Sequence, residues 1–192
     1  NPLLMMQSMH SQQIFNGNEL EPQFNKAIKL NDLRNKGQSV KVKKGYFNQH
    51  LAYIDSCCLD KTLDEFMNEI PLDNRLILTL DELKSENKVW NKICGFLKIE
   101  CVKIKFNTSN RRRVRRFVLL DKLVLILVSL KKLIGLNKRL GFLSLLRRLN
   151  TKTINSEYDL KLDIDNNLKT RINQCVKNYE SLLKIKLDNW YV

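Results

Sequence analysis

The chain has 192 residues, of which 43% are hydrophobic and 28% are charged. This length fits one domain with a buried core, and this composition excludes an intrinsically disordered protein. The formal net charge is +14 at pH 7, and residues 111–148, with 12 Lys or Arg and one acidic residue, supply +11 of it. A single basic segment therefore dominates the charge. It predicts an anionic partner: a nucleotide phosphate, a nucleic acid or a membrane surface.

The cysteines and histidines point to a reduced protein without a metal. The five cysteines contain no CxxC pair, which favours a reducing, cytoplasmic compartment. His10 and His50 are far apart, and no four ligands have the spacing of a zinc site. We interpret His50 as a structural hydrogen-bonding residue. Because the chain begins at Asn1 and Pro2 without a signal peptide, we expect it to be the C-terminal part of a longer protein.

The first third of the chain is predicted to be helical. Pro2 pre-sets φ for the first turn of a helix. Two more helices follow from apolar side chains at helical spacing, with Gly37 ending the first of them. Their apolar positions are Phe24, Ala27, Ile28 and Leu33, and then Phe47, Leu51 and Ile54.

The middle of the chain predicts alternating helices and strands. Residues 60–70 form a helix that Pro71 stops, and the apolar run at 76–80 suits a strand buried on both faces. Asp81 and Glu82 follow, and we interpret them as the acidic start of a helix rather than as an acid/base pair. A second extended piece begins at Val102. This alternation predicts an α/β fold.

The basic amphipathic segment 111–149 leaves three interpretations open. Its apolar stripe is too short and too often interrupted by lysines for a transmembrane helix. It could be a helical arm packed on the core, a helix lying in a membrane interface, or an RNA-binding surface. Only Phe117 and Phe142 are available for base stacking, which argues against nucleic acid. The stripe consists of Leu120, Leu123, Leu127, Leu130 and Ile134.

Several short sequences, in this order, resemble the C-terminal part of the sulfotransferase family. They are Asn1 and Pro2 with Ser8, the segment GYFNQHL at 45–51, DEL at 81–83 and FLKI at 96–99. The resemblance is to the bacterial, carbohydrate-type members and covers nearly the whole chain. It implies a P-loop-containing, nucleoside-triphosphate-hydrolase-like α/β fold, truncated at its N-terminus and helix-rich in the part present. Sulfotransferases move a sulfuryl group from 3′-phosphoadenosine 5′-phosphosulfate (PAPS) to a hydroxyl or amine.

The resemblance also implies which residues contact the nucleotide. Ser8 corresponds to the serine that contacts the 3′-phosphate, and Lys44 stands where many relatives carry a tyrosine beside the nucleotide. Thr108 and Ser109 lie in a loop expected against the adenine, and Asn150 and Lys152 in a loop expected to fold over PAPS. Trp190 is expected to be a packing anchor.

The resemblance divides the chain into a nucleotide-side α/β part at 1–110, the basic arm at 111–149 and a C-terminal loop and helix at 150–192. The family's phosphate loop, sulfate-side lysine and general base are expected upstream of Asn1, so no catalytic residue is assigned. We therefore expect the isolated 192 residues to bind PAPS poorly and to sulfate nothing. The expected acceptor of the whole enzyme is a carbohydrate or small molecule, and the alternative function is a non-enzymatic module on anionic membranes.

Overall fold

A computed structural model describes most of the chain. The residues described are 1–38, 42–43, 45–102, 104, 113–117, 120, 123–124, 126–127, 130, 145–146, 148–153 and 164–192. They form two compact units. Unit 1 combines residues 1–59 with 111–192, and unit 2 is the continuous segment 60–110.

Unit 1 is mainly helical. Its helices are α1 (Pro2–Asn16), α2 (Phe24–Lys29), α3 (Asn31–Asn35), α4 (Tyr53–Cys57) and α7 (Asn166–Leu183). Asn48–Leu51 and Asp188–Trp190 are single 3₁₀ turns. Strands β1 (Arg113–Arg115) and β2 (Thr151–Thr153) pair antiparallel, with Val114 opposite Lys152.

The ends of the unit 1 helices follow the chemistry of their capping residues. The Asn1 side chain accepts a hydrogen bond from the backbone N–H of Leu4, which satisfies a free donor of the first turn of α1. Gly17 ends α1 in the left-handed conformation at φ 69°. Asp165 caps α7 in the same way as Asn1 caps α1, by accepting from the N–H of Leu168. The predicted helix that begins at Pro2 and the predicted C-terminal helix within 150–192 are thus confirmed.

The core of unit 1 joins the two ends of the chain. Its buried apolar residues come from α1, α2, the turn before α4, α4, the segment just before α7, and α7: Leu3, Met6, Ala27, Ile28, Leu51, Tyr53, Ile54, Cys57, Ile164, Leu168 and Ile172. A second cluster holds Val176, Leu187 and Trp190, with Tyr179 packed edge-on against the indole. The prediction that Trp190 is a packing anchor is confirmed, since it is buried.

Two details of the predicted unit 1 helices were wrong. The second predicted helix is split at Leu30 into α2 and α3, and Leu33 is exposed while its neighbour Arg34 is fully buried. In the third, the non-helical Ala52 separates a 3₁₀ turn from α4, so Phe47 does not share a face with Ile54. Phe47 is 68% exposed.

Unit 2 contains α5 (Asp60–Glu69), α6 (Glu86–Leu97) and two 3₁₀ turns, Leu72–Asn74 and Glu82–Lys84. The predicted helix stopped by Pro71 is confirmed. Arg75 closes its C-terminal end by donating from Nη1 to the carbonyls of Ile70 and Met67.

The prediction of a buried strand at 76–80 was wrong. These residues form no strand in the described chain, and the side chain of Leu80 is 78% exposed. A five-residue apolar run needs a partner strand, and the described part of unit 2 supplies none. Asp81 and Glu82 begin a single 3₁₀ turn, Glu82–Lys84, rather than α6. Glu82 instead accepts a hydrogen bond from the backbone N–H of Thr79, and α6 begins four residues later.

The α/β class and the P-loop-like sulfotransferase fold remain predictions. The described chain is rich in helix, and its one sheet has two strands of three residues each. Across the described residues, no helix combines the length and the apolar character needed to cross a bilayer.

Candidate functional site

Three of the six predicted nucleotide residues can be described, and all three belong to unit 1. They are Ser8 on α1, Asn150 just before β2 and Lys152 within β2. The other three, Lys44, Thr108 and Ser109, lie outside the described residues. The predicted arm at 111–149 is described only in part, so its path is likewise left open.

Ser8 lies on the exposed side of α1, two turns from the N-terminus of the helix. Its neighbours one turn away on the same side, Met5 and Gln12, are also exposed. The opposite side of α1 is anchored in the core by Leu3 and Met6. The hydroxyl of Ser8 is therefore free to face a ligand on a helix whose position is fixed by packing.

The two-stranded ribbon brings basic side chains to α1. Strand β1 contacts α1, and β2 pairs with β1. Arg113 on β1 and Lys152 on β2 are both exposed. The register sets Arg113 opposite Thr153 and Lys152 opposite Val114, so the two cations leave opposite faces of the ribbon. Each face of the ribbon thus carries one cation, Arg113 on one and Lys152 on the other.

Asn150 fastens the end of this ribbon. Its Oδ1 accepts from the backbone N–H of Phe117 at 2.8 Å, and its Nδ2 donates to the carbonyl of Phe117 at 2.9 Å. Its own carbonyl accepts from the N–H of Arg116 at 2.8 Å. The side chain is 2% exposed. Because the buried amide is paired at both Oδ1 and Nδ2, Asn150 has a structural role, and its contact with the nucleotide stays a prediction.

A buried ionic cluster lies behind α1, at the junction with α3 and α4. The carboxylate of Glu19 accepts from Nη2 of Arg34 at 2.9 Å and from the hydroxyl of Tyr53 at 2.8 Å. Nη1 of Arg34 also donates to the carbonyl of Leu51 at 3.1 Å. Both charged side chains are fully buried. The cluster ties the loop after α1 to α3 and α4.

Burial and hydrogen bonds in this cluster shift the pKa values of its titratable side chains. Burial alone would raise the pKa of Glu19, but hydrogen bonds from the backbone of Glu21, from Arg34 and from Tyr53 outweigh it and lower that pKa. Burial and the bond to Glu19 raise the pKa of the Tyr53 phenol. His10 packs edge-on against Tyr53, and burial lowers its pKa. Glu19 is thus ionised and His10 neutral at pH 7.

The sequence alone did not single out Glu19, Arg34 or Arg113. The helical spacing of the apolar residues predicts Leu33 as the core position and Arg34 as its exposed neighbour. Arg34 points inward because the helix is split at Leu30. Arg113 belongs to an arginine run that was assigned to the arm as a whole. Its position on a strand against α1 depends on pairing with β2, which lies far along the chain.

The interpretation of His50 as a structural hydrogen-bonding residue stays a prediction. The ring of His50 is exposed and packs edge-on against Tyr46 and Phe47. All five cysteines are free. The described side chains include no group of three or more His, Cys, Asp or Glu that could hold a metal ion. No protein-family model, curated protein or solved structure shows significant similarity to this chain.

Proposed function

We propose that the chain is the C-terminal segment of a PAPS-dependent sulfotransferase, in which α1 and the β1–β2 ribbon form the side of the site that takes the 3′-phosphate of the donor. The whole enzyme would transfer a sulfuryl group to a hydroxyl or amine of a carbohydrate or small molecule. The free cysteines favour a cytoplasmic enzyme.

One observation carries this proposal: the contact between β1 and α1. It supports a site in which Ser8 offers a hydroxyl and Arg113 a guanidinium to the same anion. Arginine and serine are a recurrent pair for phosphate oxygens, since a guanidinium donates two parallel hydrogen bonds and a hydroxyl adds a third. Lys152 leaves the opposite face of the ribbon and would add only longer-range attraction for the anion.

The proposal predicts a ligand preference that can be measured on the chain as it is. Adenosine 3′,5′-bisphosphate, the donor without its sulfate, should bind weakly but better than adenosine 5′-monophosphate, which lacks the 3′-phosphate. Ser8→Ala and Arg113→Ala should each reduce that preference. Isothermal titration with both nucleotides measures it. Ser181→Ala, on the exposed side of α7, is the matched control for Ser8.

Equal affinity for the two nucleotides, unchanged by Ser8→Ala, would contradict the 3′-phosphate assignment. Sulfation of any acceptor by the isolated chain would contradict the expectation that the catalytic groups lie elsewhere in the enzyme. The family's reaction is an in-line transfer in which positioning and charge neutralisation supply most of the rate. A chain without the phosphate loop can neither position the sulfuryl group nor neutralise its charge.

A second function, docking on anionic membranes, is favoured by a different observation. Leu123, Leu127 and Leu130 of the predicted apolar stripe are exposed rather than packed on the core, and they are helical. Exposed leucines beside a net charge of +11 suit a helix in a lipid interface. Co-sedimentation with vesicles of neutral and of anionic phospholipid tests this. Combined replacement of Leu123, Leu127 and Leu130 by Ser should abolish binding, and nucleotide should not change it.

A further inference from the structure

Two cysteine thiols of unit 2 lie near each other at the end of α6. Cys94 is in the last turn of α6 and is buried, whereas Cys101 follows the helix and is exposed. The Cys101 thiol bonds to Asn91, one turn before Cys94 on the same side of the helix. The pair therefore has one solvent-exposed thiol, Cys101, and one buried thiol, Cys94.

The end of α6 explains how the thiols meet. Lys98 adopts the left-handed conformation at φ 54° and ψ 40°, and the N–H of Ile99 donates back to the carbonyl of Cys94 at 3.1 Å. This is the hydrogen bond with which a Schellman-type ending reverses the chain. The residues after Lys98 therefore run back along α6 instead of away from it.

Two side chains of α6 hold the returning segment in place. Nε1 of Trp90 donates to the carbonyl of Val102 at 2.7 Å, and the thiol of Cys101 donates to Oδ1 of Asn91 at 3.0 Å. Trp90 and Cys94 are four residues apart and so lie on the same side of the helix. Cys101 is thus fixed over the helical turn that carries Cys94.

We propose that Cys94 and Cys101 form a reversible disulfide by exchange with a small disulfide such as oxidised glutathione. The Cys101 thiolate attacks one sulfur of oxidised glutathione and releases one molecule of glutathione. The sulfur of Cys94 then attacks the Cys101 sulfur of the mixed disulfide and displaces the second glutathione. Two protein thiols are oxidised, and one glutathione disulfide is reduced to two thiols.

The order of the two attacks follows from exposure. Cys101 is open to solvent, and a mixed disulfide with a tripeptide can be accommodated there. Burial, reinforced by the nearby Cys101 thiol, raises the pKa of Cys94 to about 11, so Cys94 is a poor first nucleophile. Its proximity compensates in the second step, which is intramolecular.

The remaining cysteines provide an internal comparison. Cys57 and Cys175 are buried in unit 1, where the Sγ of Cys57 lies 3.8 Å from the Sδ of Met9. Burial, with Cys175 nearby, raises the pKa of Cys57 to about 12. These thiols are close to each other but closed to a glutathione molecule. Exchange should therefore occur at Cys94 and Cys101 and spare Cys57 and Cys175.

The resulting disulfide would close a short ring over the end of α6 and fix the segment from Ile99 to Val102. In a reducing compartment a bond with one exposed sulfur is labile, and such bonds serve as redox-responsive modifications rather than permanent staples. The site therefore reports the state of the glutathione pool. This inference does not depend on the sulfotransferase assignment.

Peptide mapping tests the proposal directly. The native chain is equilibrated in glutathione buffers of increasing oxidised fraction, quenched with acid, alkylated and cut with trypsin. Trypsin cleaves after Lys92, Lys98 and Lys103, so the disulfide joins the separate peptides 93–98 and 99–103. We expect this cross-link to form about tenfold more readily in the native chain than in the chain unfolded in urea, because the native fold holds the two sulfurs near each other.

Single substitutions separate the two steps. Cys94→Ser should trap glutathione on Cys101, whereas Cys101→Ser should leave Cys94 reduced, and Cys58→Ser should change neither outcome. A cross-link equally frequent in the native and unfolded chain would overturn the proposal. So would a dominant bond to Cys57 or Cys175, or a wild-type chain in which Cys101 stays glutathionylated as fully as in Cys94→Ser.

Discussion

Arg34 and Glu19 form a salt bridge of 2.8 Å in which both side chains are fully buried. The guanidinium also lies over the ring of Tyr53, 5.6 Å from its centroid. Its Nε has no hydrogen-bond partner among the described residues. Such a pair is strongly destabilising to break, because the surviving charge stays in the core without compensation.

Glu19→Gln should therefore lower the free energy of unfolding by about 3–5 kcal/mol. Urea denaturation followed by circular dichroism measures this change. The control is Lys84→Gln at the exposed bridge to Asp81, where the lysine side chain is 81% exposed and we expect a change below about 0.5 kcal/mol. The double variant Glu19→Met with Arg34→Met should recover part of the loss. If the double variant is less stable than Glu19→Gln, the ion pair itself stabilises the fold, beyond preventing an unpaired buried charge.

Protonation of His10 should destabilise unit 1 as the pH falls. Burial lowers the pKa of His10 below its ordinary value of 6.5, so between the two values the unfolded chain binds a proton that the folded chain does not. Stability is then highest above pH 6.5 and declines below it, by at most about 1.4 kcal/mol per pH unit for one proton.

Urea midpoints at pH 7.5 and 5.5 measure this decline. His10→Gln should flatten it, and His50→Gln should not, because the ring of His50 is at the surface. A wild-type midpoint that rises on acidification would contradict the assignment. Glu19, whose pKa is lowered, adds its own loss of stability only below its ordinary value of 4.5.

Asn150 and Lys152 should separate structure from ligand binding. Asn150→Ala removes two hydrogen bonds to Phe117 and should cost about 2 kcal/mol of stability. Lys152→Ala removes an exposed side chain and should leave stability unchanged while weakening the binding of adenosine 3′,5′-bisphosphate. Thermal unfolding and titration of both variants make the comparison, with Lys177→Ala as the control for an exposed lysine. An unchanged melting temperature for Asn150→Ala would contradict the structural duty assigned to it.

Two glycines should respond oppositely to alanine. Gly95 lies inside α6, and a Cβ there would meet nothing within 4 Å, so Gly95→Ala should stabilise the chain by about 0.5–1 kcal/mol. Gly17 also has open space around it, but its φ of 69° is strained for any residue with a Cβ. Gly17→Ala should therefore destabilise by about 1 kcal/mol. Thermal unfolding of both variants tests this, and a shift of the same sign in both would contradict the backbone argument.

The parts that could be predicted from the sequence are those set by local chemistry. Pro2 defines the start of α1 and Pro71 the end of α5, since each acts within one turn of its own position. Trp190 was expected in a packed cluster and lies in one.

The rest depends on partners distant in sequence. The apolar run at 76–80 has a strand's composition, but a strand exists only with a neighbour, and the described part of unit 2 offers none. From the sequence alone Arg34 is expected at the surface, because its pairing with the Glu19 carboxylate exists only in the folded chain. In the candidate site, Ser8 and Lys152 are exposed, as a binding role requires. The side chain of Asn150 is instead hydrogen-bonded to the backbone of Phe117.

The division of the chain into a continuous unit 2 and a discontinuous unit 1 has a kinetic consequence. Leu3 and Ile172 belong to one core cluster, and Asn1 donates a hydrogen bond to the carbonyl of Asn189. The part of the unit 1 core that joins residues 1–59 to α7 therefore requires closure of a very long loop, while residues 60–110 need only short-range contacts. On the ribosome, α1 can pack early on α2 and α4, which lie within residues 1–59, but the part of the core that α7 covers stays open until α7 has been synthesised. During that interval, binding by a chaperone would compete with collapse onto the wrong partner.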